Sequence, residues 1–429
     1  MSPPVKAEVR VVRPLAAPPD TVVTMPGSKS LTNRALVAAA LAAGPTTLTG
    51  ALFSDDTDAM LTALTTLGLT ASADGPAQVV RVEGWDGRVP PGPASLDVRQ
   101  AGTAARFLPA MLALGQGPYV VDGSDQMRAR PMGGMVAALR QLGLDVRASG
   151  SDSRLPLELR GGPVEGGTVR LSASTTSQFL SGLLLSSPYY RRGLLLEVEG
   201  EAVSRPYLDM TRATMAAFGV DVVSDGYRRF EVPPGQRYQG IVLAIEPDAT
   251  AASYFFAAAA ITGGRVRVEG IGRSSVQGDI GFVDVLERMG AEVVRGETFT
   301  EVIGRPLRGI DVVMADISDT APTLAVVATF ASAPSRITGI GFIRRKETDR
   351  IASVVAELRR CGIVAEELDD GLVVHPGIPS ATVFETYDDH RMAMAFSLLG
   401  LAWDGIAVSD PGCAAKTFPD YFASLDRLR

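Results

Sequence analysis

The sequence predicts a mixed α/β fold built from six similar units, which divide into two lobes of three units each. Two patterns that recur along the 429 residues predict this fold. Helix-like segments end in an apolar residue and a glycine before a strand-like run, at Gly68, Gly143, Gly219, Gly290 and Gly362, with spacings of 75, 76, 71 and 72 residues. A small polar loop that opens another helix recurs in phase with them. This period is longer than that of linear solenoids, so each copy is a complete supersecondary unit.

The helix-opening segment occurs six times, and its copies are SKSLTNRALV, RQAGTAARFLP, STTSQFLSGLL, DATAASYFFAA, ISDTAPTLAVV and YDDHRMAMAFS. The last copy is followed by a shortened tail, KTFPDYFASL. Runs rich in Val, Leu and Ile, such as RVRVEGI and GLLLEVEG, lie between the helices and are typical of strands. The glycine after each second helix suits a left-handed C-terminus that turns the chain into a strand. Each unit therefore holds about two helices and several strands.

The first of these loops, in MPGSKSLTNRALVAAALAAG (residues 25–44), places cations at the start of a helix. Apolar spacing predicts the helix from Leu31, with Leu31, Ala35, Ala38 and Ala42 on one buried face and Ser28 or Ser30 as the N-cap. Lys29 and Arg34 then oppose the helix dipole by roughly 0.3–1 kcal/mol each. One interpretation is a solvated basic surface that tolerates this small cost. The other is that the two cations and the helix N-terminus bind an anion together. Recurrence of the pattern is what separates the two interpretations.

Bulk composition limits the possible partners. The net charge of −7 and the isoelectric point near 5.2 argue against nucleic acid or an anionic membrane as the main partner. Two cysteines without a CxxC pair, and only two histidines, argue against a disulfide scaffold and a zinc centre. The N-terminal stretch lacks the apolar region of a signal peptide, and the apolar runs are short and flanked by charge. We therefore expect a soluble cytoplasmic protein.

The other helix-opening loops, and the segments after them, also carry cations and hydrogen-bonding groups. Taken singly, Arg106 could be a salt-bridged helix residue, and Glu347 with Arg350 could be a surface ion pair. Taken together, in phase with six repeats, they predict that both lobes present anion-binding groups to one cleft. The spacing of a P-loop and the GxGxxG of a dinucleotide fold are missing. The residues alone therefore predict a two-lobed protein that binds a polyanionic ligand.

Seven motifs in order resemble the 3-phosphoshikimate 1-carboxyvinyltransferase (EPSP synthase) family over about residues 20–425: PGSKSLTNRAL, AGTAAR, RARPMG, SQFLSGLLL, KETDR, YDDHRMAMAFS and AKTFPDYF. The resemblance implies a two-lobed inside-out α/β barrel of six βαβαββ-type repeats, three per lobe. It implies that residues 1–26, with the N-terminal strand, join residues 247–429 in the first lobe. Residues 27–246 would form the second lobe, connected to the first by two crossovers.

The same resemblance implies the reaction. The family transfers the enolpyruvyl group of phosphoenolpyruvate to the 5-hydroxyl of shikimate 3-phosphate and releases phosphate, through a tetrahedral intermediate. This step leads toward chorismate and the aromatic amino acids. The family needs no metal or organic cofactor, so we expect no cofactor, no nucleic-acid or membrane partner, and a monomer.

Roles carried over from the family assign catalysis to Asp319, Glu347, Lys29 and His390. Shikimate 3-phosphate contacts are assigned to Lys29, Ser30, Arg34, Thr176, Ser177, Gln178, Ser204, Asp319 and Lys346. Phosphoenolpyruvate contacts are assigned to Lys29, Gly102, Arg130, Gln178, Arg350, Arg391 and Lys416. Asp319 matches the base near the 5-hydroxyl, and Glu347 matches a proton donor near C3 of phosphoenolpyruvate.

This chain departs from the family pattern at Gln100, Phe107 and Phe342, where the family commonly has Asn, Pro, and an Asn or His that contacts shikimate 3-phosphate. Gly102 leaves the space that the inhibitor glyphosate occupies in sensitive members, so we predict sensitivity. Two alternatives remain open. A UDP-N-acetylglucosamine enolpyruvyl transferase normally carries a reactive Cys before the ARP-like motif, where DGSDQMRARP has none. A non-catalytic anion-binding relative would not need Asp319 and Glu347.

Overall fold

The computed structural model describes residues 8–150, 153–172 and 176–429. The chain divides into two compact units. Unit 1 comprises the described part of Met1–Pro26 together with Pro247–Arg429, and unit 2 the described part of Gly27–Glu246. Within the described residues, none of the helices combines the length and the apolar character needed to cross a membrane.

The strands of the described residues form six sheets, and each strand is three to seven residues long. They are β1 Val9–Val12, β2 Asp20–Val23, β3 Pro45–Thr49, β4 Thr70–Asp74, β5 Val79–Glu83, β6 Ala94–Asp97, β7 Tyr119–Asp122, β8 Asp145–Ser149, β9 Arg154–Arg160, β10 Gly167–Ser172, β11 Leu194–Glu199, β12 Val223–Asp225, β13 Arg229–Val232, β14 Val242–Ala244, β15 Arg265–Glu269, β16 Glu292–Arg295, β17 Phe299–Ile303, β18 Asp311–Val313, β19 Ser335–Thr338, β20 Ala365–Leu368, β21 Gly371–Val374, β22 Thr382–Phe384 and β23 Ile406–Ser409.

Helices alternate with the strands in both units. The α-helices are α1 Lys29–Leu41, α2 Asp55–Thr66, α3 Gly102–Leu112, α4 Asp125–Arg128, α5 Gly133–Gln141, α6 Gln178–Ser186, α7 Pro206–Ala217, α8 Ala249–Thr262, α9 Phe282–Met289, α10 Ala321–Ala328, α11 Arg350–Arg360, α12 His390–Ser397 and α13 Tyr421–Asp426. Short 3₁₀ helices cover Ser187–Tyr189, Gly278–Gly281, Ser318–Thr320, Gly341–Arg345, Leu398–Leu401 and Pro411–Lys416.

The predicted repeat is confirmed by the sheet topology. In unit 2 the sheets have the orders β6-β7-β9-β8, β10-β11-β13-β12 and β14-β3-β5-β4. In each, the first two strands are parallel and the other pairs antiparallel. Unit 1 repeats this order in β2-β15-β17-β16 and β18-β19-β21-β20, and its last sheet is the shorter β1-β23-β22. The first sheet of each unit takes its first strand, β14 or β2, from a segment distant in sequence.

The helices of each unit fall into two classes by burial. The first helix of each repeat is buried on nearly all sides, as in α1, α3 and α6 of unit 2 and α8, α10 and α12 of unit 1. The second helix, such as α9 or α11, is buried along one face and carries charge on the other. The single buried face predicted for the first helix is therefore wrong, because α1 packs against α2, α3, α6 and α7 and residues Leu31–Leu41 are all buried.

The recurring glycines occupy the conformation that their position predicts. Each follows the second helix of its repeat in a left-handed conformation, with φ of 94° at Gly68, 83° at Gly143, 86° at Gly219, 119° at Gly290 and 87° at Gly362. An L side chain is strained at such φ values, so glycine allows the helix to end and the next strand to begin without that cost.

Candidate active site

Arg34 connects the N-terminal halves of three helices in unit 2. From α1, its Nε donates to Thr211 Oγ1 of α7 (2.8 Å), and its Nη2 donates to the Tyr207 carbonyl (3.0 Å) and to Ser181 Oγ of α6 (3.4 Å). Its Nη1 donates to the carbonyl of Ser30, one turn earlier in α1 (2.9 Å). The loops that open these helices therefore lie at one end of unit 2.

Two aromatic rings complete the environment of Arg34. The guanidinium carbon lies 5.3 Å from the ring centre of Phe107 and 5.8 Å from that of Tyr207. Burial lowers the pKa of Arg34 to about 10, which leaves the side chain charged at neutral pH. Phe107, a departure from the family pattern, thus supplies a cation–π contact to this buried charge.

Lys29 is the first residue of α1, which begins two residues before the predicted start. Ser28 is the N-cap, as one of the two predicted alternatives, and its Oγ accepts from the Leu31 amide (3.5 Å). The Lys29 ammonium lies 3.2 Å from the carboxylate of Asp56 in the first turn of α2. The buried Asp56 was not predicted, and it offsets the unfavourable position of Lys29 near a helix N-terminus.

Gly102 and Arg130 lie against each other in unit 2. A Cβ added to Gly102 would come within 2.9 Å of Arg130 Nη1 and 3.1 Å of Nη2. Arg106 joins the same two segments, because it donates to the Gly102 carbonyl (3.4 Å) and to the Pro131 carbonyl (3.2 Å). The absence of a side chain at Gly102 is what allows the Arg130 guanidinium to occupy its position over the start of α3.

The uncharged candidates of unit 2 lie at two further helix starts. Ser177 is the buried N-cap residue of α6, and the Gln178 amide donates to Thr176 Oγ1 (3.2 Å). Ser204 is buried before α7 with φ of 53°, a conformation that non-glycine residues rarely adopt. The neighbouring Ser174 and Thr175 of the STTSQ motif lie outside the described residues.

In unit 1, Arg350 contacts three carboxylates. From the first turn of α11 it donates to both oxygens of Asp389 (2.8 and 3.2 Å), to Glu347 Oε2 (2.6 Å) and to Asp319 Oδ1 (3.2 Å). Arg350 and Asp389 are almost completely buried. The alternative of a surface pair between Glu347 and Arg350 is therefore wrong, because both side chains are at least nine-tenths buried.

Two more cations complete this cluster. Arg391 Nη2 donates to Asp319 Oδ2 (2.6 Å), and Lys416 Nζ lies 3.4 Å from Glu347 Oε1. Each of the two candidate proton-transfer carboxylates thus touches Arg350 and one further cation. His390, buried beside them, has its Nδ1 3.6 Å from Asp389 Oδ1.

Sequence reasoning missed two buried carboxylates of unit 1. Asp389 is the N-cap of α12, where it accepts from the Arg391 amide (2.9 Å) while it holds Arg350. Asp279 accepts from Thr250 Oγ1, and burial together with the negative charge of Asp319 raises the pKa of Asp279 to about 7. The signal for Asp389 was its N-cap position before a helix, but Asp279 lies in a short QGD segment without a distinguishing pattern.

Lys346 follows the 3₁₀ helix Gly341–Arg345 and lies with its ammonium 5.9 Å from the ring centre of Phe342. Phe342, which stands where the family commonly has Asn or His, thus lies beside Lys346, a residue assigned to shikimate 3-phosphate. Among the described residues, no group of three or more His, Cys, Asp or Glu side chains is arranged to hold a metal ion.

The arrangement in unit 1 is suited to acid–base chemistry on an anion. Carboxylates can accept or donate protons, and buried guanidinium groups bind carboxylate or phosphate with paired hydrogen bonds. Unit 2 places a lysine, an arginine and several hydroxyl groups at helix starts, which favour anions.

Comparison with known proteins gives the family. The family model for EPSP synthase (3-phosphoshikimate 1-carboxyvinyltransferase) matches residues 17–425. The 3-phosphoshikimate 1-carboxyvinyltransferase of Trichormus variabilis is 48% identical over 415 residues, which are 96% of this chain and 97% of the relative. That of Shewanella amazonensis is 46% identical over 411 residues, or 95% and 96% of the two chains.

Solved structures agree with these matches. An EPSP synthase from Acinetobacter baumannii superposes with a TM-score of 0.83 at 26% identity, covering 98% of each chain. The enolpyruvyl transferase NikO from Streptomyces tendae, with a TM-score of 0.75 at 17% identity over 98% and 97% of the two chains, shows the same fold. The predicted two-lobed inside-out fold class and the predicted activity are thereby confirmed. The chain belongs to the EPSP synthase family and is an enzyme with 3-phosphoshikimate 1-carboxyvinyltransferase activity.

Proposed function

We propose that this chain uses phosphoenolpyruvate and shikimate 3-phosphate as its substrates and that the residues named above bind and convert them. The observation that carries this proposal is that Arg350 holds Asp319 and Glu347 at the same time. The reaction removes a proton from the 5-hydroxyl and adds one to C3 of the enol, so it needs two proton-transfer groups near one reacting carbon. Two carboxylates fixed on one guanidinium meet that need.

The proposed binding roles follow the chemistry of each group. Arg350, Arg391, Lys416, Arg130 and Lys29 are assigned to phosphoenolpyruvate, whose carboxylate and phosphate both suit guanidinium and ammonium donors. Gly102 and Gln178 complete this set. Hydroxyl, amide and basic groups are assigned to shikimate 3-phosphate together with the carboxylate of Asp319: Ser30, Thr176, Ser177, Ser204, Gln178, Lys29, Arg34 and Lys346.

The proposed proton transfers use the two carboxylates in sequence. Asp319 takes the proton of the 5-hydroxyl as its oxygen attacks C2, and Glu347 delivers a proton to C3, which gives the tetrahedral intermediate. The bond from C2 to the phosphate oxygen then breaks, the C3 proton returns to Glu347, and the proton held by Asp319 leaves with phosphate or to water. The Lys29 ammonium and the His390 imidazole complete the catalytic group, because negative charge on the departing phosphate is stabilised by nearby cations and hydrogen-bond donors.

Binding of an anion would change the contacts within this cluster. Arg350 and Lys416 both contact Glu347. In the proposed complex a substrate carboxylate or phosphate binds the same two cations and competes with Glu347 for their hydrogen bonds.

The experiment that tests the function measures phosphate release from phosphoenolpyruvate with shikimate 3-phosphate, beside a parallel reaction with UDP-N-acetylglucosamine. Release only with shikimate 3-phosphate supports the proposal, and release only with the sugar nucleotide contradicts it. Asp319→Asn and Glu347→Gln should each lower kcat by at least about 100-fold, since general acid–base groups contribute about 10²–10⁴-fold. Asp316→Asn, three residues from Asp319, is the matched control and should retain activity.

We also propose that the protein is a monomer of the cytoplasm. The exposed valines of its strands are spread over edge strands of five sheets, as at Val22, Val242 and Val313, rather than gathered on one sheet. Cys361 and Cys413 are both free thiols, which suits a reducing compartment. Light scattering at micromolar concentration and cell fractionation test these two points.

A further inference from the structure

A strained turn precedes the catalytic segment of α12. The amide of Asp389 donates to the carbonyl of Thr386 (2.9 Å), which closes a four-residue turn. The two central residues, Tyr387 and Asp388, have φ of 54° and 53°. Positive φ at both central positions is the pattern of a type I′ turn, where Asn and Gly are preferred and an aromatic residue is costly. Something other than local preference must therefore hold Tyr387 in this conformation.

Glu357 supplies that restraint. It is a fully buried residue of α11, and its Oε1 accepts from the hydroxyl of Tyr387 (2.9 Å). Its Oε2 accepts from the amide of Glu385 (3.0 Å) and from Arg360 Nη1 (2.6 Å). Both carboxylate oxygens are thus engaged, one by the first central residue of the turn and one by the strand end that leads into it.

Helix α11 contacts the same segment at a second point, seven residues earlier. Arg350, on the same side of α11, binds Asp389 directly after the turn. The segment from Glu385 to Arg391 is therefore fixed to α11 before and after its two strained residues. The second contact belongs to the proposed substrate-binding cluster, and the first lies outside it.

We propose that Glu357 is a positioning residue for the enolpyruvyl transfer: it holds the 386–389 turn in its left-handed form, so that Asp389, His390 and Arg391 begin α12 where the Arg350 cluster needs them. Glu357 does not touch the reacting atoms in this assignment. The inference rests on the proposed roles of Arg350, His390 and Arg391.

Glu357→Gln is the direct test. Three donors converge on the Glu357 carboxylate, whereas a glutamine has one acceptor oxygen and an NH₂ group that must then face a donor. We expect kcat/KM for phosphoenolpyruvate to fall about 10–100-fold, because displacement of catalytic groups by about 1 Å can cost that much. KM for phosphoenolpyruvate should rise more than KM for shikimate 3-phosphate, since Arg350 and Arg391 are assigned to phosphoenolpyruvate.

The matched control is Glu301→Gln. Glu301 is also a buried glutamate of unit 1 and forms an ion pair with Arg265 at 2.6 Å, but it lies on β17, away from the turn in sequence.

A milder variant is Tyr387→Phe, which removes only the hydroxyl and leaves Glu357 paired with Arg360. It should lower kcat/KM for phosphoenolpyruvate a few-fold.

A rescue experiment separates positioning from general stability. Tyr387→Asn with Asp388→Gly places the preferred Asn-Gly pair in the turn, so the left-handed form no longer needs Glu357. Added to Glu357→Gln, this pair should restore kcat/KM for phosphoenolpyruvate at least about fivefold. Restoration of the melting temperature without restoration of kcat/KM would overturn the proposal, as would unchanged kinetics in both Glu357→Gln and Tyr387→Phe. Failure of the proposed function would instead appear in the unsubstituted enzyme, as absent phosphate release.

Discussion

Substitution of Gly102 by alanine tests whether the Arg130 guanidinium needs the space that glycine leaves at the start of α3. An ideal Cβ at this position lies 2.9 Å from Arg130 Nη1, 3.1 Å from Nη2 and 3.3 Å from Cζ, where ordinary contacts lie between 3.4 and 4 Å. The methyl group therefore displaces the guanidinium by at least about half an ångström. The backbone of Gly102 is helical and takes an alanine without strain, so the change acts on the neighbour rather than on the fold.

The magnitude follows from what the guanidinium is proposed to bind. Hydrogen bonds to charged groups contribute about 1.5–3 kcal/mol, which corresponds to a change of about 10- to 100-fold. Gly102→Ala should raise KM for phosphoenolpyruvate by about that factor and leave KM for shikimate 3-phosphate within about twofold. Stability should stay within about 0.5 kcal/mol or rise slightly, because alanine is a better helix former than glycine.

Steady-state phosphate release with each substrate varied in turn is the assay. Gly162→Ala is the matched control, because a Cβ at Gly162 meets no atom within 4 Å and the residue lies in the same unit. Glyphosate should inhibit the unsubstituted enzyme and inhibit Gly102→Ala less. In a double-mutant cycle, Gly102→Ala and Arg130→Lys should be strongly non-additive. Simple addition of the two effects would refute the steric argument, and an unchanged rate at millimolar glyphosate would refute the predicted sensitivity.

Three further predictions follow from the buried charges. Burial and Asp319 raise the pKa of Asp279 from 3.8 to about 7, so the contribution of Asp279 to stability is present below pH 4 and is lost as the pH rises to about 7. In urea unfolding, the stability of Asp279→Asn relative to wild type should therefore increase across this pH range, by at most about 4 kcal/mol, and a difference independent of pH would contradict the prediction. Asp389→Asn weakens the pair with Arg350 but keeps an acceptor for the α12 amide. The kcat/KM for phosphoenolpyruvate should fall more than about tenfold and the stability by about 1–3 kcal/mol, and activity at the wild-type level would contradict the proposed role of the Arg350 cluster in binding. Arg34→Lys should lower stability in urea unfolding by about 2–4 kcal/mol, because lysine cannot reproduce the planar fork of donors, and a loss below about 1 kcal/mol would mean that these contacts matter little.

The fold was predictable because its signals are local and repeated. A glycine after a second helix and a polar loop before a first helix are each recognised within about ten residues. Five copies of the glycine and six of the loop make the repeat clear. The all-round burial of α1 was not predictable from its own spacing. A helix rich in alanine presents little contrast between faces, and only its position among four other helices decides which sides are covered.

The candidate site was predictable where a motif carries it and unpredictable where tertiary contacts do. Arg350 and Arg391 stand in motifs, so the resemblance to the family found them. Asp279 and Glu357 resemble any acidic residue beside or within a helix. Glu357 has a local pair with Arg360, but the contacts that bury the two carboxylates come from segments 28 to 40 residues away in sequence. Burial that depends on such distant segments is not visible in the sequence pattern.

Lys29 and Arg34, both proposed to contact shikimate 3-phosphate, have very different surroundings. Both stand in the first turns of α1 and looked equivalent in the sequence. Arg34 directs four hydrogen bonds to protein atoms, which engage most of its five N–H donors, and two rings cover it. Lys29 keeps part of its side chain exposed, and its pair with the Asp56 carboxylate at 3.2 Å is a contact that an anionic substrate can replace. In the proposed site Lys29 can therefore turn toward substrate, whereas the enclosed Arg34 also holds together the helices on which binding depends.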